Sequence, residues 1–111
     1  MTSRPRRAGR RRSIIWSERA RDDLCAIGDY IARDKPVVAE QWVSRLIAAV
    51  ERAATMPFSG RVAPEFGRAE IREILLRRYR IVYRVRAEAI EVLTVFEGRR
   101  LLRDGVVDDE E

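Results

Sequence analysis

Apolar and polar positions alternate with two different periods along the chain, which separates a helical half from a β half. Residues 13–16 form a short β-branched and aromatic run that predicts a first strand. Apolar residues then recur at spacings of three and four, which predicts helices from Ser17 to about Arg33 and from Pro36 to about Met56. Ser17 is a favourable N-cap, and Pro36 is tolerated in a first helical turn. The short link between the helices predicts an antiparallel helical hairpin.

From residue 71 onward the apolar period is two. Residues 71–77, 79–86 and 89–97 therefore predict three strands, joined by short turns into an antiparallel meander. Glycines and prolines mark the segment before them, residues 58–67, as a loop. Together these elements predict an α+β fold of order β-α-α-β-β-β, in which a helical hairpin covers one face of an antiparallel sheet.

Strict alternation also predicts which side chains share a face of that sheet. In the second meander strand, one face carries Tyr79, Ile81, Tyr83 and Val85, and the other carries Arg80, Val82, Arg84 and Arg86. In the third, Ile90, Val92, Thr94 and Phe96 alternate with Glu91, Leu93, Val95 and Glu97. We expect the face with alternating arginines to point outward. The predicted core includes Leu24, Ile31, Leu46 and Ile81.

Length and charge indicate three segments. The 111 residues suffice for one domain with a modest core. Residues 1–12 carry six arginines and predict a disordered basic arm, whereas residues 104–111 carry five acidic groups and predict a frayed acidic tail. Residues 13–103, the predicted domain, retain 17 basic and 13 acidic groups. A basic domain of this kind can bind nucleic acid or an acidic protein, or can simply have a solvated charged surface.

Several chemistries are excluded by residues that the chain lacks. It has no histidine, so a histidine-based metal site or a serine–histidine triad is ruled out. A single cysteine, Cys25, cannot form an internal disulfide and suits a reducing compartment. No apolar run approaches the roughly 20 residues needed to span a membrane, and the basic start lacks the apolar stretch of a secretory signal. We therefore expect a cytoplasmic protein without a cofactor or metal.

Several short motifs, in this order and spacing, resemble the RelE/ParE toxin superfamily. They are Ile-Ile-Trp-Ser-Glu-Arg-Ala (14–20), the run from Leu24 to Pro36, Pro-Phe-Ser-Gly-Arg (57–61), Ile-Arg-Glu (71–73), Arg-Tyr-Arg-Ile-Val-Tyr-Arg-Val (78–85) and Gly-Arg-Arg (98–100). The resemblance covers about residues 13–103. It implies a toxin that a co-expressed antitoxin neutralises, and it implies one of two activities. RelE-like members cut messenger RNA in the ribosomal A site, and ParE-like members poison DNA gyrase.

The residues that RelE-like nucleases use are only partly present. Their two arginines match Arg80 and Arg100. Their lysine positions fall on or near Ile71 and Glu73, their tyrosine position falls near Val106, and another branch has a histidine where Glu97 stands here. Cations are thus retained, but the groups that would transfer protons are missing. In a nuclease, Glu97 and Tyr83 could take those roles, although Tyr83 is more typical of a core aromatic and Glu97 of an ion-pair partner.

This balance favours a gyrase poison without catalytic residues. The alternative is a ribosome-dependent endoribonuclease that uses Arg80, Arg100, Glu97 and Tyr83, with the ribosome and messenger RNA as targets. A third hypothesis, a plain nucleic-acid-binding module, lacks exposed aromatics interleaved with the cations. Candidate contacts to a phosphate or target are the arginines Arg61, Arg72, Arg80, Arg84, Arg99 and Arg100. The implied partner is an antitoxin that folds on binding to a sheet edge or to a groove along the helices.

Overall fold

The computed structural model describes residues 11–98, in which two helices pack against a five-stranded sheet. The elements are β1 (Ser13–Trp16), α1 (Glu18–Ala32), α2 (Pro36–Thr55), a 3-10 turn (Pro57–Ser59), β2 (Arg61–Val62), β3 (Ile71–Leu76), β4 (Tyr79–Val85) and β5 (Ala89–Glu97). The predicted α+β class and helical hairpin are confirmed. The two-residue strand β2 lies inside the segment predicted as a loop.

The sheet is mixed rather than wholly antiparallel. Its strand order is β1-β5-β4-β3-β2, and β1 runs parallel to β5 while the other neighbours are antiparallel. Short turns fix the direction of each meander strand relative to the next. No such turn joins β1 to β5, because the helical hairpin and the first two meander strands lie between them. Their parallel pairing is therefore decided by how the helices pack, and the prediction of an antiparallel sheet was wrong at this pair.

Local signals place the helices as predicted. The Ser17 hydroxyl accepts a hydrogen bond from the Ala20 amide at 3.0 Å and donates one to the Leu93 carbonyl at 3.0 Å. It therefore caps α1 and fastens the helix start to β5 at the same time. Pro36 occupies the start of α2, where its missing N–H costs nothing.

The main core lies between the helices and the sheet. Leu46 and Ile81 are fully buried there, as predicted, and Leu24 packs against this core as a half-buried side chain. Ile31 is also half-buried, but it lies outside the core cluster. The prediction that Ile31 is a core residue was therefore wrong, since α1 turns that side chain toward a surface groove described below.

The face of the sheet remote from the helices is also covered. Ala63, Ile71, Val82 and Leu93 form a second buried cluster, against which Phe66 and Phe96 pack. The prediction that this face points its arginines outward was wrong near Arg80, because the segment between β2 and β3 supplies Ala63 and Phe66 as a cover, whereas Arg86 at the strand end is exposed. Arg80, predicted on that face, is buried as well.

A β-bulge changes the side-chain alternation in β5. Val82 lies opposite Thr94 while Tyr83 lies opposite Val92, so Leu93 has no residue directly across from it. A bulge of this kind adds one residue to a strand and inverts the alternation beyond it. Val95 consequently joins Ile90 and Val92 in the main core, and Phe96 joins Leu93 in the second cluster. The strict alternation predicted for this strand holds only as far as the bulge.

The described region begins just inside the predicted basic arm. The Arg12 amide donates a hydrogen bond to the Ala54 carbonyl at 2.9 Å, and the Arg12 Nε donates to the Arg86 carbonyl at 3.0 Å. Residues 1–10 of the arm and the predicted acidic tail lie outside the described residues. Neither helix within residues 11–98 is long and apolar enough to cross a membrane.

Candidate functional site

A cluster of four charged side chains around Arg80 links β2, β3, β4 and the segment after β2, and Arg80 and Glu73 form its buried part. The Arg80 guanidinium donates to Glu65 at 2.7 and 2.8 Å and to Glu73 at 2.9 Å. The side chains of Arg80 and Glu73 are 7% and 0% exposed. Arg61 pairs with the second Glu73 oxygen, so two arginines and two carboxylates neutralise one another. Arg80 was predicted to contact a phosphate, but its N–H groups donate to carboxylates of the protein itself.

The electrostatics and packing of the cluster hold Arg80 in place. The hydrogen bonds that Arg80 donates to the Glu65 carboxylate raise the pKa of its guanidinium, and burial of the guanidinium opposes this shift. The guanidinium carbon also lies 5.2 Å from the centre of the Phe96 ring. To contact an external phosphate, Arg80 would have to leave two carboxylates and an aromatic face. Such a buried, fully paired charge is costly to separate from its partners.

The Pro-Phe-Ser-Gly-Arg segment (57–61) is shaped by Tyr83. The buried Tyr83 hydroxyl donates a hydrogen bond to the Pro57 carbonyl at 2.6 Å. A Cβ atom on Gly60 would lie 2.6 Å from the Tyr83 hydroxyl and 2.8 Å from the Glu73 carbonyl oxygen, so this close approach requires glycine. Burial raises the pKa of the Tyr83 phenol, although Arg72 and the Gly60 backbone partly oppose that shift. Tyr83 is a core aromatic engaged with a loop.

Arg72 is bound within the protein by hydrogen bonds, whereas Arg84 has none within residues 11–98. Arg72 donates to the carbonyls of Ala69 at 2.8 Å and Gly60 at 2.9 Å, and it stacks 4.9 Å from the Phe58 ring centre. Arg84 is half-buried on β4, and its Nε atom is buried without a hydrogen-bond partner among the described residues. The predicted set of phosphate contacts thus contains arginines with structural roles of their own.

Of the remaining predicted site residues, Glu97 lies at the end of β5. Glu97 is exposed and lies 3.7 Å from the Arg78 guanidinium. Arg99 and Arg100 lie outside the described residues. The structure therefore does not bring Glu97 into the Arg80 cluster, and within residues 11–98 no group of three or more carboxylates or thiolates could hold a metal ion.

A groove of about 590 Å³ runs between the helical hairpin and the ends of β4 and β5. Tyr30, on its rim, is 71% exposed, and Trp42 meets Tyr79 edge-to-face at 5.3 Å between ring centres. The lining is apolar and aromatic with a charged rim, and it comprises Ala26, Ile27, Tyr30, Ile31, Lys35, Val38, Trp42, Arg78, Tyr79 and Glu97. We call this the hairpin groove. Its composition suits the apolar face of an amphipathic helix that carries acidic groups.

A second, smaller groove of about 330 Å³ follows the outer edge of β3. Strand β2 pairs with β3 only at Arg72 and Glu73, so the backbone edge from Ile74 to Leu76 is not paired with β2. Leu75 is exposed along this edge. An unpaired edge beside a groove is the geometry to which an extended peptide can add a strand.

The partners of Arg80 were not anticipated from the sequence. Glu73 lies between Ile71 and Leu75 in the period-two alternation of its strand, and a carboxylate at an inward-facing strand position requires a cation nearby. That signal could have identified Glu73 as half of a buried pair. Nothing local marks Glu65, because its contact with Arg80 spans a loop.

Comparison with known proteins gives consistent matches. Residues 14–102 match the sequence profile of the ParE toxin of the type II toxin–antitoxin system parDE. The chain is 33% identical over 89 residues to Toxin RelE2 of Caulobacter vibrioides, covering 79% of this chain and 97% of that protein.

Solved structures share the fold. The chromosomal ParDE system from P. aeruginosa matches with a TM-score of 0.67 at 22% identity, covering 79% of this chain and 97% of that one. The RelBE2 toxin–antitoxin complex of Mycobacterium tuberculosis matches with a TM-score of 0.54 at 18% identity, covering 78% and 98%.

Proposed function

Because the chain belongs to the RelE/ParE superfamily of type II toxin–antitoxin toxins, we propose that it arrests growth by inhibiting DNA gyrase. The observation that supports this proposal is that the Arg80 guanidinium is buried and paired with Glu65 and Glu73. Both of its carboxylate partners belong to the protein itself, so the cluster is already neutral without a substrate. A toxin that acts by binding a target enzyme needs no free catalytic cation at this position.

The chemistry of RNA cleavage strengthens the proposal. Attack by a 2′-hydroxyl requires a proton acceptor, a proton donor and cations placed to stabilise the charge that develops on the phosphate. Tyr83 is buried and bonded to Pro57, and its raised pKa keeps the phenol protonated. Glu97 is an exposed carboxylate beside Arg78. Its cross-strand partner is the buried Tyr79, whose pKa is raised by burial, and neither side chain is paired with the Arg80 cluster. Residues 11–98 therefore offer cations without matched acid–base partners.

Ribosome-dependent endoribonuclease activity is the second candidate, since the curated relative at 33% identity is named Toxin RelE2. Purified protein separates the two functions in parallel assays. We expect it to inhibit gyrase supercoiling and trap cleaved DNA, and to leave messenger RNA on programmed ribosomes intact. The matched control is the same protein saturated with antitoxin, which should lose the gyrase effect. Codon-dependent A-site cleavage without an effect on gyrase would overturn the proposal in favour of the nuclease.

A cognate antitoxin is the proposed partner, and the hairpin groove is its expected docking surface. An antitoxin helix with apolar and acidic faces would place its apolar side against Trp42 and Ile31 and its carboxylates near Lys35 and Arg78. The edge of β3 from Ile74 to Leu76, which no strand within residues 11–98 pairs with, offers a second place where an extended antitoxin segment could add a strand.

Two exposed residues allow a matched test of the hairpin groove. Tyr30 lines the groove, whereas Val37, 67% exposed on the next helix, does not. We expect Tyr30→Ser to weaken antitoxin affinity by about tenfold or more, as truncation of an aromatic anchor does, and Val37→Ser to leave it unchanged. If both variants bind the antitoxin with equal affinity, the antitoxin does not bind in the hairpin groove.

A further inference from the structure

The turn between β3 and β4 has an unfavourable backbone conformation for its sequence. Leu76 pairs with Tyr79, so the turn has two central residues, Arg77 and Arg78. Arg77 has a φ of 58°, and it is the one non-glycine residue with positive φ in the described part of the chain. Positive φ at the first central residue alone is typical of a type II′ turn, whose sequence preference at that position is glycine. The chain therefore places an arginine where L residues are strained.

No contact of the Arg77 side chain within residues 11–98 compensates for this strain. The Arg77 side chain is exposed and makes no hydrogen bond or ion pair with any residue of the described range. Arg78 is 69% exposed in its side chain, and its contact with Glu97 at 3.7 Å is of the kind that contributes little at a surface. Among residues 11–98, Arg77 has no partner and Arg78 has only this weak one, so both guanidiniums at the narrow end of the hairpin remain accessible to an external group. Retained backbone strain at an exposed position is characteristic of functional sites.

We propose that Arg77 and Arg78 form a phosphate-binding tip that contacts the backbone of duplex DNA in the target complex. This inference rests on the proposed function, since inhibition of gyrase at cleaved DNA places the toxin beside a duplex. Guanidinium groups bind phosphate oxygens through paired N–H donors, and a two-stranded hairpin is narrow enough to enter a DNA groove. The Gly98 amide donates to the Arg78 carbonyl at 2.5 Å, which ties the turn to the end of β5.

The position of Arg78 also suggests how neutralisation works. Arg78 belongs to the turn and to the rim of the hairpin groove. An antitoxin helix seated in that groove would cover one of the two arginines and place its own carboxylates against it. Binding of antitoxin and binding of DNA at this end of the molecule would then exclude each other.

The test uses the full-length protein and a 20-base-pair DNA duplex, with binding followed by fluorescence anisotropy between about 50 and 200 mM salt. Each arginine–phosphate contact adds about 0.9 to the slope of log affinity against log salt. We expect Arg77→Gly combined with Arg78→Gln to lower that slope by about 2. Arg21→Gln is the matched control, since it removes one charge from an exposed position of α1, and its slope should stay at the wild-type value. The N-terminal arginines are the same in all these proteins and cancel from the comparison.

Two further measurements make the outcome decisive. Arg77→Gly alone relieves the strained φ, so its melting temperature should equal or exceed that of the wild type while its DNA affinity falls. In the gyrase assay, the double variant should need at least about tenfold more protein to trap cleaved DNA. An unchanged salt slope, or a double variant that traps cleaved DNA as well as the wild type, would overturn the proposal. If the wild type fails to trap cleaved DNA, the gyrase function fails, and the duplex measurement still decides whether the turn binds phosphate.

Discussion

Replacing Glu73 by glutamine tests whether the charged cluster is structural. Glu73 is completely buried and accepts from both Arg80 and Arg61. The variant keeps the volume and one acceptor oxygen but removes the negative charge, so Glu65 is the one carboxylate that remains paired with the buried Arg80 guanidinium. Removing one partner of a buried ion pair typically costs about 3–5 kcal/mol, and the remaining Glu65 favours the lower end of that range. For a protein of this size the loss is a large part of the total stability, which is usually about 5–15 kcal/mol.

Urea unfolding of the antitoxin-free protein measures the effect directly. With a slope of about 1.5 kcal/mol per molar urea, a loss of 3 kcal/mol lowers the unfolding midpoint by about 2 M. Arg61→Gln is the control, because the Arg61 side chain is 65% exposed and its pairing should contribute about 1 kcal/mol or less. A Glu73→Gln protein within about 1 kcal/mol of the wild type would refute the view that Arg80 depends on this carboxylate.

A double variant separates structure from target binding. Replacing Arg80 by methionine and Glu73 by leucine removes both charges together, and such apolar replacement of a buried pair is often neutral or stabilising by about 1–4 kcal/mol. If Arg80 is structural, this protein should stay folded and keep its effect on gyrase. A fully stable variant that has lost its toxicity would instead show that Arg80 contacts the target, as the sequence predicted.

Three simpler changes test the fold around the site. Tyr83→Phe leaves the buried Pro57 carbonyl without its donor and should cost about 1–3 kcal/mol in urea unfolding, with a change under 0.5 kcal/mol counting against that role. Because burial raises the pKa of Tyr83, its stabilisation is complete below about pH 10 and should be lost as the pH rises further, which melting curves at alkaline pH will check. Ser17→Ala removes the cap of α1 and the bond to Leu93, so helix stability should fall by about 1–2 kcal/mol, and an unchanged melting temperature would contradict the capping geometry. Leu46→Ala should cost about 2–5 kcal/mol as a core truncation, and equal stability to the wild type would exclude Leu46 from the core.

The antitoxin-bound state should raise all of these stabilities together. A partner that binds only the folded protein adds a stabilisation that grows with its concentration above the dissociation constant. Comparisons between variants therefore need the free protein, or complexes at one fixed antitoxin concentration.

Local periodicity determined much of this protein. Helix and strand periods are properties of neighbouring residues, so the order of elements, the helical hairpin and the meander could be predicted without tertiary information. The starts of the helices could also be predicted locally. Ser17 accepts from an amide in the first turn of α1, and Pro36 suits the first turn of α2, where an N–H would have no partner within the helix. Motif spacing added the family, because Pro-Phe-Ser-Gly-Arg and Gly-Arg-Arg are contiguous in sequence.

Only the tertiary structure decided which charged side chains are buried and paired within the protein. Arg80 meets Glu65 across 15 positions and Glu73 across seven, and neither contact follows from alternation along β4. The cover supplied by Ala63 and Phe66, the bulge at Leu93 and the parallel pairing of β1 with β5 likewise join distant segments. Strand alternation tells which face a side chain takes, whereas whether that face is open to solvent depends on what the rest of the chain places over it. For this reason the sequence identified Arg80 as a candidate phosphate contact, and only the folded structure showed it paired with the protein's own carboxylates.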